Sequence, residues 1–326
     1  MALAIPVDDA PEASDDGAPA PTYNRIAVIV NPAAGQDRPI LGVMNRAFHA
    51  AKVDWDVFIT KKAGDAADFT RRAVEERYPV VAVYGGDGTV GEVASALVGS
   101  DVPLAIFPGG TANVMSVELG IPSDLEEACA LVFSGAGKAR PLDVGRIQIT
   151  GQGERYFLLR VGVGFEAEMV EGADRQLKSR FGTLAYALSG LQALRDPPMA
   201  RYTLTLDGEL REIQGMTCII ANTGSVGRTN LTLAPTIDVG DGLLDVIVVR
   251  RGDLPSLLSV AAKVLTGGDP AEPLQHWQAR RIRVEVDPPQ AVTLDGEMVE
   301  VAPLDVEVVP AALRVIVPRG ARVVND

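Results

Sequence analysis

The order of apolar runs along the chain constrains its fold more than any other feature of the sequence. From Asn24 to about Phe133, short β-rich runs alternate with stretches of helical periodicity. This alternation predicts a parallel sheet with helices on its faces. The remainder consists of short strands joined by turn signals, with helical stretches predicted at Phe165–Leu194 and Leu254–Leu265. The second pattern predicts an antiparallel, sandwich-like domain that begins near Asp143.

Composition indicates a globular protein of about two domains. The chain has 326 residues, of which 47% are hydrophobic and 22% are charged. Residues 1–22 are rich in Ala, Pro and Asp, and we interpret them as a disordered acidic tail rather than a targeting segment. No apolar run reaches the length of a bilayer span. Cys129 and Cys218 lie among apolar residues, as is typical of core thiols in a reduced, cytoplasmic protein.

The charge of the chain argues against a nucleic-acid partner. The formal net charge is −13, and no basic stripe dominates the sequence. One local basic segment, Arg175–Phe181 ("RQLKSRF"), is a candidate for peripheral contact with the inner face of a membrane. A solvated helix face is the simpler interpretation of that segment.

Asp87 lies in a glycine turn between a buried strand and a helix, in the segment "VVAVYGGDGTVGEV". Loops of this shape offer backbone N–H groups and a helix N-terminus to phosphate. The spacing of Gly86–Gly91 fits a dinucleotide fingerprint, but the next strand lacks the acid which that motif needs, and the Walker Lys is missing. An acid here indicates either Mg²⁺ beside the phosphates or polarisation of a hydroxyl or a metal-bound water. A helix-capping role is the structural alternative.

Two further loops follow strands of the same predicted sheet. Asn31–Gly35 ("NPAAG") follows the first strand, and Pro108–Val114 ("PGGTANV") follows the fourth. Both contain small residues, and the carboxyl ends of parallel strands meet at one edge of a sheet, where ligands bind. Either loop alone is explained by turn chemistry. Three such loops together predict one phosphate-binding edge.

With Glu92 and the following "LGIP", these three loops resemble the diacylglycerol kinase catalytic-domain family, which includes bacterial soluble lipid kinases, sphingosine kinases and ceramide kinases. The resemblance extends from Tyr23 to the end of the chain in the family's order. Its further motifs are "LDVGRI" (Leu142–Ile147), "VGVGFEAEMV" (Val161–Val170), "FGTLAYALSGL" (Phe181–Leu191), "LAPTIDVGDGLLDVIVV" (Leu233–Val249) and "LDGE" (Leu294–Glu297).

The resemblance implies an ATP-dependent kinase that uses Mg²⁺ to phosphorylate a lipid hydroxyl. It implies a phosphofructokinase-like nucleotide-binding α/β domain at residues 23–141 and a β-rich lipid-binding domain at residues 142–309. The family's last strand typically returns to the first domain, which assigns residues 310–326 there. The nucleotide site would comprise Asn31, Pro32, Ala33, Ala34, Gly35, Thr60, Gly86, Asp87, Gly88, Thr89, Val90, Gly91, Glu92, Thr111 and Asn113.

The family's catalytic roles carry over to two acids. Phosphoryl transfer needs a group that accepts the proton of the attacking hydroxyl, and in the family this is the Glu of the C-terminal "DGE", here Glu297. Asp87 would organise the metal and the phosphates. "DGE" also occurs at residues 207–209, and Asp-Gly between alternating strands is an ordinary hairpin signal. Motif order favours Glu297, and we expect Glu209 in an exposed hairpin.

The resemblance also implies a structural Mg²⁺ bound by the Asp241 carboxylate with carbonyls of Asp238 and Leu243. A simple hairpin turn explains the same "DG" equally well. Asp143 is a candidate on the substrate side. Two positions depart from the family pattern, which often has Asn at Gly91 and Asp at Val114. The second departure bears on the acceptor, because in some members that Asp joins a polar network near the substrate.

Several alternatives stay open at this point. Diacylglycerol is the first choice of acceptor, with sphingosine-type lipids and phosphatidylglycerol as alternatives. An NAD kinase shares the "GGDG" loop but needs an Asn-Glu pair that does not occur in the sequence. A non-catalytic nucleotide or lipid sensor on the same fold is a further alternative. We expect a cytoplasmic protein with peripheral membrane contact, and a homodimer remains open.

Overall fold

The computed structural model of the chain describes residues 23–34, 39–149, 153–164, 199–225, 233–234, 236–250, 275–299 and 303–320. Both predicted helical stretches, Phe165–Leu194 and Leu254–Leu265, lie outside the described residues. So do the basic segment Arg175–Phe181 and the acidic tail at residues 1–22.

The first part of the chain alternates strands and helices, as its patterning predicts. Its strands form a parallel array in the order β2-β1-β3-β4. The central strands are buried on both faces, which explains their nearly continuous apolar sequences. The elements are β1 Arg25–Val30, α1 Ile40–Ala50, β2 Asp54–Ile59, α2 Asp65–Glu75, β3 Val81–Gly85, α3 Asp87–Leu97, β4 Leu104–Pro108, α4 Val114–Glu118 and α5 Leu125–Phe133.

Strands make up the rest of the described chain. The apolar run Arg155–Val163 is divided between two strands, and the polar strand β12 was not predicted. The strands are β5 Gly137–Ile149, β6 Gly153–Phe157, β7 Arg160–Gly164, β8 Ala200–Leu206, β9 Glu209–Gly215, β10 Thr217–Ala221, β11 Leu244–Val249, β12 Gln275–Ala279, β13 Arg281–Asp287, β14 Val292–Leu294, β15 Glu297–Val299 and β16 Leu304–Pro318.

The strands form two sheets. A ten-stranded sheet follows the order β2-β1-β3-β4-β16-β13-β8-β9, with β5 paired to β16 and β6 to β5. A six-stranded antiparallel sheet follows the order β12-β11-β10-β7-β14-β15. The antiparallel part of the larger sheet shares one buried apolar cluster with the smaller sheet. The predicted fold class, an α/β domain followed by a sandwich-like β domain, is confirmed.

Strands β5 and β16 pair with each other through both parts of the fold. Leu142 of β5 and Val315 of β16 lie in the core of the α/β part, whereas Ile147 and Val306 of the same strands lie in the sandwich core. The predicted domain boundaries at 141/142 and 309/310 therefore fall inside two continuous strands. As divisions of the chain they remain predictions.

A register shift interrupts this ladder between Val309 and Leu313. Ala311 at the bulge has a positive φ of 51°, which is unusual for a residue other than glycine. The buried carboxylate of Asp143 holds the bulge, because its Oδ1 accepts a hydrogen bond from the Ala311 N–H at 2.8 Å. Its Oδ2 accepts from the Gly242 N–H at 2.6 Å, so one side chain fixes both the bulge and a loop of the sandwich.

The two thiols lie in the cores, as the sequence indicates. Both cysteines are free and buried, and burial raises the pKa of Cys129 and of Cys218 to about 12. Both are therefore uncharged at neutral pH, since the thiolate forms only near that value. Among the described residues, no helix combines the length and the apolarity that a bilayer crossing requires.

The two "DGE" segments form hairpins of the same local shape. Asp207 and Asp295 have φ values of 49° and 48°, and each is followed by a glycine with positive φ. Asp207 links β8 to β9, and its carboxylate accepts from the N–H groups of Arg280 and Arg281. Asp295 links β14 to β15 and accepts from three N–H groups, at 2.9 Å each, of Leu158, Leu159 and Arg160.

Asp295 therefore fixes the start of β7 more tightly than Asp207 fixes the start of β13. We expect Asp295→Ala to lower the free energy of unfolding by about 2–4 kcal/mol, because it leaves several amides inside the fold without their charged acceptor. Asp207→Ala is the matched control and should be the milder change, because its turn is exposed to solvent. Calorimetric unfolding of both variants checks this, and equal losses would contradict it.

Candidate functional site

The loops after β3 and β4 touch at the carboxyl edge of the parallel strands. The N–H groups of Gly109 and Gly110 donate to the carbonyl oxygen of Gly85 at 2.9 and 3.1 Å. A Cβ atom on Gly110 would lie 2.5 Å from the Gly86 Cα, so only glycine allows this approach. Asn113, with φ 48°, closes the second loop by bonding the Gly110 N–H and carbonyl through its side chain.

The loops after β1 and β2 join the same edge. The Asn31 Nδ2 donates to the Thr89 Oγ1 at 2.8 Å, which ties the "NPAAG" loop to α3. The Gly64 N–H donates to the Glu92 Oε2 at 3.0 Å, which ties the loop before α2 to the same helix. The structure thus brings four loops together around the first turn of α3.

The first turn of α3 presents amide groups to this edge. Gly86 precedes the helix in an extended conformation and provides no side-chain cap, and the Val90 N–H donates to the Gly86 carbonyl at 3.0 Å. The N–H groups of Asp87, Gly88 and Thr89 precede this bond, as at any helix N-terminus. Asp87 is the first helical residue and not the cap. This arrangement can bind phosphate oxygens.

Asp87 is a partly buried carboxylate in this edge. Burial raises its pKa above the ordinary value for aspartate, whereas the Met115 and Val114 amides and the charge of Arg160 act in the opposite direction. A carboxylate with a raised pKa in a phosphate-type loop is typical of a functional rather than a stabilising group.

Arg160 connects this edge to the β14–β15 hairpin. Its charge acts on both Asp87 and Asp295, its N–H donates to Asp295, and its carbonyl accepts from the Asp295 N–H at 2.9 Å. The side chain is buried, with 8% of its surface exposed. Sequence reasoning missed this residue, although a lone arginine in the apolar run "FLLRVGV" was a signal that could have found it.

Glu297, the predicted base, begins β15 directly after this turn. Its side chain is 69% exposed, and its Oε2 lies 3.1 Å from the Arg155 Nη2. Glu209 occupies the equivalent position in the other hairpin and pairs with Arg211 of its own strand. Only the Glu297 hairpin is joined to the start of β7, and through Arg160 to the neighbourhood of Asp87.

The predicted metal loop lies between β10 and β11. The Asp238 Oδ1 accepts from the Gly240 N–H at 2.9 Å and pairs with Arg140, and the Asp241 Oδ1 accepts from the Leu243 N–H at 2.9 Å. Within the described ranges, no three His, Cys, Asp or Glu side chains gather as a metal site. The predicted donor set contains only one side chain and two carbonyls.

That donor set is compatible with Mg²⁺. Its three donors are oxygens, which hard cations prefer. Burial raises the pKa of Asp241, and the neighbouring carboxylates of Asp245, Asp238 and Asp143 raise it further. A cation in this loop would offset that accumulated negative charge. The carboxylate of Asp143 is already bound by two backbone amides, which is a structural arrangement, so its role on the substrate side remains a prediction.

Other predicted nucleotide-site residues lie around the same edge. Thr60 is buried after β2, and its N–H donates to the Val30 carbonyl at 2.9 Å. Thr111 is exposed in the loop after β4, and a Cβ atom on Gly91 would meet open space. Val114, the residue that departs from the family pattern, is buried at the start of α4. Pro32, Ala33 and Ala34 follow β1, and Gly35 lies outside the described residues.

Comparisons with known proteins match most of the described fold. The family model of the diacylglycerol kinase catalytic domain matches residues 25–147, and that of the YegS C-terminal NAD kinase beta sandwich-like domain matches residues 160–317. A diacylglycerol kinase of Bacillus subtilis is 30% identical over 84% of this chain and 89% of its own length. An uncharacterized protein of Synechocystis sp. is 32% identical over 81% of this chain and 61% of its own length.

A solved structure has the same fold. The crystal structure of a diacylglycerol kinase from Bacillus anthracis superposes with a TM-score of 0.78 at 27% identity, covering 92% of this chain and 99% of that one. The fold and the matched domains define a lipid kinase as the class of protein. The chain belongs to the diacylglycerol kinase family.

The raised pKa of Asp87 leads to a prediction about the thermal stability of the ligand-free protein. The folded-state pKa of Asp87 lies above its unfolded value of 3.8. Such a group contributes to stability when the pH is below 3.8, and this contribution is lost as the pH rises through the folded-state pKa. At neutral pH we therefore expect Asp87→Asn to raise the Tm of the ligand-free protein while removing activity.

The difference in Tm between Asp87→Asn and wild type should disappear in acid, where Asp87 is protonated in both folded and unfolded chains. Differential scanning calorimetry from about pH 2.5 to about pH 8, in steps of about one pH unit, measures this difference in Tm. A lower Tm for the variant at neutral pH would show that the α4 amides and Arg160 outweigh the effect of burial.

Proposed function

We propose that the protein is an ATP-dependent kinase that transfers the γ-phosphoryl group to the hydroxyl of diacylglycerol and so forms phosphatidic acid. Membership of the family supports a lipid kinase. The observation that carries the proposal is that the turn before Glu297 is bonded through Asp295 to the start of β7 at Arg160, a buried cation whose charge also acts on Asp87 in the phosphate-type loop. A nucleotide site alone would not require that hairpin.

In this proposal the phosphates of ATP lie at the edge formed by the four loops. The α3 amides after Gly86 bind phosphate oxygens, and the exposed Gly88 has no side chain that would cover this backbone. Mg²⁺ bound with ATP would neutralise charge on the phosphates, which makes the carboxylate of Asp87 tolerable there. Asn31 and Glu92 act indirectly by holding their loops against α3.

Glu297 is the proposed general base. Its carboxylate removes the proton of the lipid hydroxyl as the hydroxyl oxygen attacks the γ-phosphorus, and the bond from that phosphorus to the bridging oxygen of ADP breaks. The high exposure of Glu297 in the absence of substrate leaves it accessible to an incoming hydroxyl. Asp295 does not share this role, because its oxygens are bound to backbone amides.

The lipid that accepts the phosphoryl group is the most specific element of the proposal. Diacylglycerol is favoured by the names of the relatives in Bacillus, whereas sphingosine-type lipids and phosphatidylglycerol also present a hydroxyl on an apolar body. The segment Arg175–Phe181, proposed as a membrane contact, lies outside the described residues. The acceptor therefore has to be identified by assay.

We expect phosphoryl transfer from ATP to dioctanoylglycerol in mixed micelles, at a higher kcat/KM than with sphingosine or phosphatidylglycerol. Glu297→Gln should lower kcat by at least about 100-fold, which is the usual contribution of a general base. Its Tm should be unchanged because the side chain is largely exposed. Glu209→Gln, at the equivalent position of the other hairpin, is the matched control and should retain wild-type activity.

Radiolabelled phosphate in extracted lipid measures the transfer directly. ATP binding without transfer to any of the three lipids would favour the non-catalytic sensor instead. Full activity of Glu297→Gln would remove Glu297 as the base while leaving a lipid kinase. A preference for sphingosine or phosphatidylglycerol would overturn the choice of acceptor alone.

The proposed structural Mg²⁺ site has its own test. Without nucleotide, Mg²⁺ should raise the Tm of wild type, because a ligand that binds only the folded chain stabilises it. Asp241→Asn should abolish this response. Asp305→Asn, which removes an exposed carboxylate paired with Arg283, should leave it intact. Calorimetry at increasing MgCl₂ distinguishes these cases, and an equal response of both variants would exclude Asp241 as the ligand.

A further inference from the structure

Arg155 forms an ion pair with the proposed base across 142 positions of sequence. Its Nη2 lies 3.1 Å from the Glu297 Oε2, and the two side chains are 38% and 69% exposed. An ion pair with this exposure contributes little to folding, typically below about 1 kcal/mol. The contact does, however, restrict the position of the Glu297 carboxylate.

The two partners differ in how firmly the fold holds them. Arg155 lies in the middle of β6, where it pairs with Ile147 of β5, and β6 packs against α3, the helix that begins at the phosphate loop. Glu297 is the first residue of β15, a three-residue strand at the edge of the six-stranded sheet. The arginine is therefore the anchored member of the pair.

We infer that Arg155 is a positioning residue for phosphoryl transfer, which holds the carboxylate of Glu297 toward the phosphate loop. The inference rests on the proposed function, in which Glu297 is the base. A glutamate at a strand edge has three side-chain torsions to order before it can accept a proton from a bound hydroxyl. The planar guanidinium removes part of that freedom, because it offers donors in a fixed orientation.

The second hairpin shows what an ordinary pair at this position looks like. Glu209 is 70% exposed and pairs with Arg211, two residues away in the same strand β9. That pair connects nothing beyond its own strand, and β9 lies at the end of the ten-stranded sheet. The Arg155 pair instead joins two sheets, with one member on a strand that packs against α3.

Steady-state kinetics with ATP and dioctanoylglycerol in mixed micelles test the inference. We expect Arg155→Met to lower kcat by roughly 10- to 100-fold, the effect of misplacing a catalytic group, with little change in Tm or in the KM for ATP. Arg155→Lys should recover only part of the rate, because an ammonium group is a point charge without the guanidinium fork. Arg211→Met is the matched control and should match wild type.

Chemical rescue separates positioning from a structural effect. Methylguanidinium added to Arg155→Ala should restore part of kcat, and it should have no effect on Glu297→Gln. A wild-type kcat for Arg155→Met, or a loss of rate that follows a fall in Tm and is not rescued, would overturn the inference.

The same assays distinguish failure of this inference from failure of the proposed function. If wild type is active, Glu297→Gln is inactive and Arg155→Met is unaffected, the positioning role fails alone. If Glu297→Gln is fully active, the assignment of the base fails while a lipid kinase remains. If wild type phosphorylates no lipid, the proposed function itself fails. In both cases the role of Arg155 falls with it.

Discussion

The pairing of β5 with β16 is the constraint on which the rest of the structure depends. Each strand contributes one half to the core of the α/β part and the other half to the core of the sandwich. The two cores are therefore built on one ladder and not joined by a linker. The change from one core to the other occurs at the bulge around Ala311, where the buried carboxylate of Asp143 binds the bulge and the loop at Gly242.

In the proposed function, segments far apart in the chain contribute to one site. The phosphate-type loop is built from the carboxyl ends of parallel strands, as expected for an α/β sheet. The proposed base comes from a hairpin of the other sheet, which is positioned by the bonds of Asp295 to the start of β7. Arg160 is a buried cation whose charge lowers the pKa of both Asp87 and Asp295, against the effect of burial.

The local features of the fold could be predicted from the sequence, and the long-range contacts could not. Apolar runs and glycine turns predicted the alternation of strands and helices between Asn24 and Phe133 and the loops after the first and fourth strands, because their signals are short-range. The polar strand β12 was missed because its strand character depends on pairing with β11. The partners of Asp143 and Arg160 were also missed, because a lone charged residue in an apolar run indicates a partner without saying which one. The partner of Arg155 lies 142 positions away, and no local pattern indicates it.

The place of β16 in the sheet has a consequence for synthesis of the protein. Residues such as Leu313, Val315 and Val317 fill the core of the α/β part, although they are made more than about 200 residues after β4, with which β16 pairs. On the ribosome, the α/β part therefore emerges first but lacks one of its strands until β16 has been translated. This arrangement makes folding of that half depend on the C-terminal strand, and the polypeptide must keep an exposed apolar edge protected during translation.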